Sequence, residues 1–453
     1  MGRGGGEDDG IGPLRGGAAS TAALPAAGTS GFASTEEMIG YAESTLLRAG
    51  VQEGEVCIIE AANSGSEYEA ARMAFAAAAE DLGVTVKVYP PDATLTDLEL
   101  AEKLYYQTKM VDGDAAQIQM SSYRPRFSAR SAVNLSQEDA DRRAQMVADS
   151  RRAQAHAQGE NIGRWSVGMW PTKEWAQEIY PGLSPDEAQG KLSDCLARAT
   201  FANDPEGLQE HQQKLRDRAD TLTEFETDSF EISNPPPFEP PHPLAGHPLN
   251  KGTSLEIGMA EGQHFETCDL ENAQGKSMGV NNPSDEVFGT PSARRVSGHM
   301  TTTRPFIAEG EVVEGIYMEF EDGKMVKAVS LDPKHQDLVD RYFNDESGTT
   351  TMSEVGLVDA QGALAAESHN GQPVIFNNGI CDENTGIHIA LGHSYLGMTG
   401  GKGVSEGGDA ADAKGVGTPC HFDLVIGGPG STVRARNKSG EVMEVITQGS
   451  WKM

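Results

Sequence analysis

Seven of the twenty residues from Ser233 to Gly252, SNPPPFEPPHPLAGHPLNKG, are proline. Proline fixes φ and lacks the backbone N–H, so neither a helix interior nor a central strand can run through such a stretch. The segment therefore breaks the 453-residue chain into two halves. It reads as a linker over residues 235–252, between an N-terminal domain at 34–234 and a C-terminal domain at 253–453.

The first half alternates strand and helix patterns. Residues 35–50, TEEMIGYAESTLLRAG, carry an apolar stripe at helical spacing that stops at Gly50. EVCIIE reads as a buried strand, SEYEAARMAFAAAAEDLG as an alanine-rich helix closed by Gly83, and VTVKVYP as a second strand. That order predicts a parallel α/β domain. The link after the first strand is AANSGS and has no glycine-rich phosphate loop, so a dinucleotide site is unsupported. Further on, residues 136–160 are polar with helical spacing. RWSVGMW reads as a strand, PTKEWAQEIYPG as a helix capped by Thr172, and 185–225 as charged helices. Residues 1–33 read as a flexible tail. They lack the apolar core of a secretory signal, and Gly6 breaks the myristoylation pattern.

After the prolines the texture changes. EGEVVEGIYMEFEDGKMVKAVS alternates like strands joined at Glu-Gly and Asp-Gly turns. Gly400 to Gly417 is glycine-rich without a strand-to-helix context, which favours a flexible loop over a nucleotide site. The fold class expected is α/β, with an N-terminal parallel α/β domain followed by an α+β, strand-rich C-terminal domain.

Composition excludes several functions. The formal charge of −32 disfavours a nucleic-acid partner, since phosphate binding needs basic patches. It fits a solvated acidic surface or adaptation to high salt. No apolar run approaches the roughly 20 residues of a membrane span. The five cysteines, Cys57, Cys195, Cys268, Cys381 and Cys420, form no CxxC pair and are odd in number, so a reducing cytoplasm is expected.

Ligand-type side chains gather at four places in the second half. These are Glu286 in NNPSDEVFGTP, Glu354 in TMSEVGLVD, Glu383, His388 and Tyr395 in ENTGIHIALGHSY, and His421 and Asp423 in CHFDLVIGG. On a strand, His421 and Asp423 point to one face two residues apart, while LVI anchors the strand in a core. Surface polar residues are the plainer explanation for HxD alone, as a satisfied core histidine is for His388. His393 is left out of the site. If Glu286, Glu354, Glu383 and Asp423 converge, their four charges balance two divalent cations; without cations they repel and their proton affinities rise.

These motifs, in this order, resemble the aminopeptidase T / aminopeptidase S family of metallopeptidases, with support from MWPTKEWA, GTSLEIGM and VVEGIYMEFEDGKMV. The likeness covers roughly residues 36–453. It implies two divalent metal ions (Zn, Co, Mn or Mg) held by Glu286, Glu354, Glu383, His388, His421 and Asp423, with Tyr395 catalytic. It also implies a homodimer that acts on peptides with a free N-terminus. Glu354, with Glu286 as second choice, is the expected general base, and Tyr395 the oxyanion donor. Two departures stand out. Ser254 replaces the family's usual Asp, and GVGTPCHFD lacks the Asn and Ser that often precede HxD. Two rival readings use the same residues. His388, His421 and Asp423 could form the two-histidine, one-carboxylate site of a mononuclear iron ring-cleaving dioxygenase, or the chain could be a non-catalytic acidic binding protein.

Overall fold

Val56–Glu60, Thr85–Tyr89, Ala115–Ser121 and Arg164–Met169 form a parallel sheet in a computed structural model of the chain, with Val56–Glu60 between the second and third strands. The structure describes residues 31–61, 66–90, 95–111, 115–121, 142, 145–146, 161–344, 348–412 and 421–453. Most of the expected tail, most of the helical reading at 136–160, residues 413–417 of the glycine-rich loop and Cys420 lie outside that set.

Helices cover both faces of this sheet, which is why its first strand reads as a continuous apolar run. Cys57 and Ile59 face a core built with Met38, Tyr41, Ala74 and Phe75 from the helices Thr35–Arg48 and Ser66–Leu82. Ile58 faces the other way, toward Leu100 of the helix Asp97–Val111. The third strand, AAQIQMS, is absent from the sequence reading because Gln117 and Gln119 interrupt its apolar pattern. Gln117 is buried all the same. Its side-chain amide donates to Glu60 Oε1 at 2.6 Å, and Lys103 Nζ lies 2.8 Å from the same oxygen. A polar strand residue thus keeps its place because its partners are buried with it. The helix Lys173–Ile179 is capped as expected, with Thr172 Oγ1 accepting from the Trp175 N–H.

The proline segment does not separate the two halves. Thr227–Asn234, before the prolines, pairs antiparallel with Thr253–Met259, after them, inside one eight-stranded sheet. The segment is a connection within that sheet, and the strand ahead of it belongs with the C-terminal layers. The signal was the apolar pair Phe230 and Ile232, two residues apart and flanked by the outward-facing Glu231 and Ser233. At the far end of this sheet, Ile316–Glu321 and Lys324–Ser330 form the expected hairpin, turning at Asp322 and Gly323, whose φ values of 48° and 86° suit a tight primed turn.

A five-stranded antiparallel sheet packs on the eight-stranded one. In spatial order it runs His421–Val425, His388–Gly392, Met352–Val358, Glu286–Gly289 and Glu266–Thr267. Val287, Val355, Leu357, Ile389, Leu391 and Leu424 from this sheet meet Phe230, Leu255, Ile257, Val296, Met300 and Met318 from the other in one core. The outer face of the five-stranded sheet is turned toward the parallel sheet. The described part of the glycine-rich loop is a hydrogen-bonded turn, with Val404 donating to the Ala410 carbonyl and Ala293 to the Asp409 carbonyl. Ser254 is exposed and far from the ligand face, so that departure leaves the site untouched. No described helix is long and apolar enough to cross a membrane.

The first core also takes in Leu364, Val374, Phe376 and Cys381 from the second half. Trp175 locks this contact, its indole N–H donating to the Phe376 carbonyl at 2.6 Å in full burial. Trp175→Phe leaves that carbonyl unsatisfied and should destabilise the protein by about 1–3 kcal/mol. The check is a lowered urea midpoint at unchanged slope.

Candidate metal centre

Each ligand-type residue singled out in the sequence lies on a strand of the five-stranded sheet or close to its end, Glu383 one turn before His388–Gly392 and Tyr395 three residues after it. Glu286 opens its strand, Glu354 lies in the central strand, His388 opens the next, and His421 and Asp423 lie on the edge strand. Registers align them, with Gly356 opposite His388, Glu354 opposite Ala390, and Ala390 opposite Asp423. Alternation sends the intervening Val355, Leu357, Ile389 and Leu424 into the core and the ligand set outward. Met352 and Glu354 have the same parity, yet Met352 is core and Glu354 faces the site. A bulge between them accounts for this, since one extra residue reverses the face.

Glu383 comes from the helix Gly379–Glu383, capped by Asn378, whose side-chain oxygen accepts from the Cys381 N–H. Asn384 just beyond accepts the Asp285 N–H at 2.7 Å, tying the helix end to the strand that carries Glu286. The floor of the site is kept low. A Cβ on Gly356 would lie 2.1 Å from His388 Nε2, so only glycine leaves room for the imidazole.

The side chains converge on a cavity of about 130 Å³ lined by Glu286, Glu354, Glu383, His388, Tyr395, His421 and Asp423. His388 Nε2 is 3.0 Å from Glu286 Oε2 and 3.5 Å from Glu354 Oε1. His421 Nε2 is 3.3 Å from Glu354 Oε2 and 3.3 Å from Asp423 Oδ1. Two clusters result, Glu286/Glu354/His388 and Glu354/His421/Asp423, each with donor atoms within 4.8 Å of one another. Glu354 belongs to both. Glu383 lines the same cavity outside these clusters, accepting from Asn281 Nδ2 at 3.3 Å. The rival triad is not one cluster, because His388 and His421 fall in different groups. Tyr395 stacks obliquely on His421, with ring centroids 4.6 Å apart.

Electrostatics fit a cation site. No Lys or Arg among the described residues lines the cavity. Burial drives the Glu383 carboxyl well above the usual range, and Asp423 and Glu286 add to the effect. Burial also opposes charge on Glu354, but hydrogen bonds from His388 and His421 prevail and hold it at about 2. Burial alone would deprotonate His388, yet Glu286 and Glu354 raise its affinity well above the histidine norm; Tyr395, Asp423 and Glu354 do the same for burial-opposed His421. In the metal-free protein, protons on the histidines stand in for cations. Their stabilisation is complete below about 6.5 and is lost as pH rises through the raised values. His421 Nδ1 donates to the His393 carbonyl at 2.8 Å, which leaves Nε2 to the site, the orientation a metal-binding imidazole needs. The donor set of carboxylates and imidazoles suits divalent metal ions.

Sequence reasoning missed the supports. Cys268, read only as one of an odd set, donates its thiol to Glu286 Oε1 at 2.7 Å. Asn281 and Gly356 lie within NNPSDEVFGTP and TMSEVGLVD, and their roles appear only with the registers. Trp165 and Val167 close the cavity from the parallel sheet, a contact no local pattern announces.

The sequence profile described as thermophilic metalloprotease (M29) matches residues 38–451. Aminopeptidase PepS of Streptococcus thermophilus is 27% identical over 293 residues, 63% of this chain and 65% of that protein. Aminopeptidase T of Thermus aquaticus is 25% identical over 295 residues, 64% of this chain and 66% of that protein. The chain thus aligns with just under two thirds of each relative's length. The solved structure of wild-type AmpT from Thermus thermophilus superposes with a TM-score of 0.71 at 22% identity, covering 93% of this chain and all of that one, and it shows the same fold.

Two outcomes follow from this geometry. Gly356→Ala pushes the His388 ring aside and should weaken divalent-metal binding by about 10–100-fold, the scale seen when a ligand's support is lost. Titration calorimetry on the folded variant reads it. Loading the metal-free protein near pH 7 should release about two to three protons per chain, from His388, His421 and the raised Glu383 carboxyl, with affinity rising with pH. Calorimetry in buffers of different ionisation enthalpy counts them.

Proposed function

The chain belongs to the thermophilic metalloprotease (M29) family, and from that premise we propose that it is a metal-dependent aminopeptidase that removes the first residue of peptides with a free N-terminus. The observation that carries this reading is the sharing of Glu354 between two ligand clusters. Glu286 and His388 would hold one divalent ion, His421 and Asp423 a second, with Glu354 common to both and Glu383 completing the set. When bound, such a pair supplies a water activated at neutral pH and an electrophile for the scissile carbonyl.

The chain's own residues do the rest. Glu354, ionised and placed between both clusters, takes the proton of the attacking water. Glu286, which belongs to one cluster only, is the second choice. Burial pushes the Tyr395 phenol up to about 12, so Oη keeps its proton and donates to the oxyanion. The apolar walls exclude bulk water and strengthen each of these interactions. Zn, Co, Mn and Mg all suit the donor set. A homodimer, which the family resemblance implies, in the reducing cytoplasm expected from the cysteine pattern, completes the proposal.

The test is hydrolysis of leucine p-nitroanilide against its N-acetyl analogue. Only the free amine should be cleaved, chelation should abolish the reaction, and added divalent metal should restore it. Cleavage of the acetylated substrate, or indifference to chelators, would overturn the reading. Tyr395→Phe should lower kcat by about 10²–10³-fold with metal content unchanged. Glu354→Gln should abolish hydrolysis.

A further inference from the structure

The cavity has two unlike walls. The ligand wall carries the carboxylates and imidazoles. Trp165 and Val167 of the last parallel strand close the cavity opposite it, and Val280, Ile380 and Phe288 add further hydrocarbon to the lining. Trp165 and Val167 are two residues apart and so share a face. Phe288 shares a face with Glu286, so one short strand supplies both a ligand and part of the apolar wall. The Val167 N–H bonds the Val280 carbonyl at 2.8 Å, which fixes the two sides of this wall to each other.

We infer that this apolar wall is the pocket for the side chain of the substrate's first residue, and that it selects peptides beginning with an aliphatic residue. The inference rests on the aminopeptidase reading. The first residue's amine and carbonyl must face the ligand wall, so its side chain is directed away from the carboxylates and toward Trp165, Val167 and Phe288. A charged side chain there is desolvated against hydrocarbon with no partner on that wall, and such burial is heavily penalised. Size sets the upper limit. An apolar cavity of roughly 150 Å³ admits benzene, and this one is about 130 Å³ before the backbone groups and metal ions take their share. This limit favours short apolar side chains over an indole. Trp165 and Val167 thus bring the N-terminal sheet into specificity, while the C-terminal one carries the ligands.

The test uses the zinc-loaded full chain and aminoacyl-p-nitroanilides of Leu, Val, Phe, Trp, Lys and Glu. Leu should exceed Glu and Lys in kcat/KM by about 10²-fold. Val167→Lys should raise the Glu-to-Leu ratio, and Trp165→Ala the Trp-to-Leu ratio, each by about tenfold. Circular dichroism and metal content establish that each variant is folded and loaded. Since Trp165 is buried, the half-buried Val167 keeps the test available if Trp165→Ala fails to fold. Calorimetry with the free amino acids gives a reading independent of turnover. L-leucine should bind about tenfold or more tighter than L-glutamate, and Val167→Lys should narrow that gap. Hydrolysis and binding indifferent to the side chain would overturn the pocket while leaving the aminopeptidase reading intact. Failure to cleave any member would overturn both.

Discussion

Glu354 divides its carboxylate between two imidazoles, Oε1 toward His388 and Oε2 toward His421, from the middle strand of a five-stranded sheet. That one side chain belongs to both candidate ligand clusters, and the proposed pair of cation positions depends on it. Its position depends on a bulge that reverses strand parity between Met352 and Glu354, and on the absence of a side chain at Gly356. Anionic side chains at such density are unfavourable in a buried cavity unless cations join them. The raised proton affinities of Glu383, His388 and His421 express this need.

The rest of the fold serves that strand. The eight-stranded sheet buries the reverse side of the ligand sheet with Ile257, Met300, Met318 and their neighbours, so the ligands stand on a packed base. The parallel α/β layer closes the cavity from the other side through Trp165 and Val167. Segment 360–381 laces the layers together, with Phe376 and Cys381 in the N-terminal core and the helix ending at Glu383 beside the metal-type ligands. Supports behind the ligands follow the same economy, as Cys268 holds Glu286 and the His393 carbonyl holds His421.

Much of this was legible in the sequence where local chemistry decides structure. The HxD pair is on a strand with its side chains 3.3 Å apart, and Thr172 caps its helix. All seven chosen side chains line one cavity. What escaped depends on partners distant in sequence. The strand Ala115–Ser121 looked too polar because Glu60, which satisfies Gln117, is 57 positions away. The prolines looked like a domain border because Thr227–Asn234 shows its pairing only when Thr253–Met259 is beside it. Gly356 and Cys268 matter through what touches them, and a one-dimensional pattern does not carry that.

The central claim is that Glu354 joins two cation positions. The most direct measurement is the number of divalent ions bound per chain, by elemental mass spectrometry, after the metal-free protein is loaded with zinc and desalted. The account predicts two per chain in the native protein. A single ion per chain would contradict it.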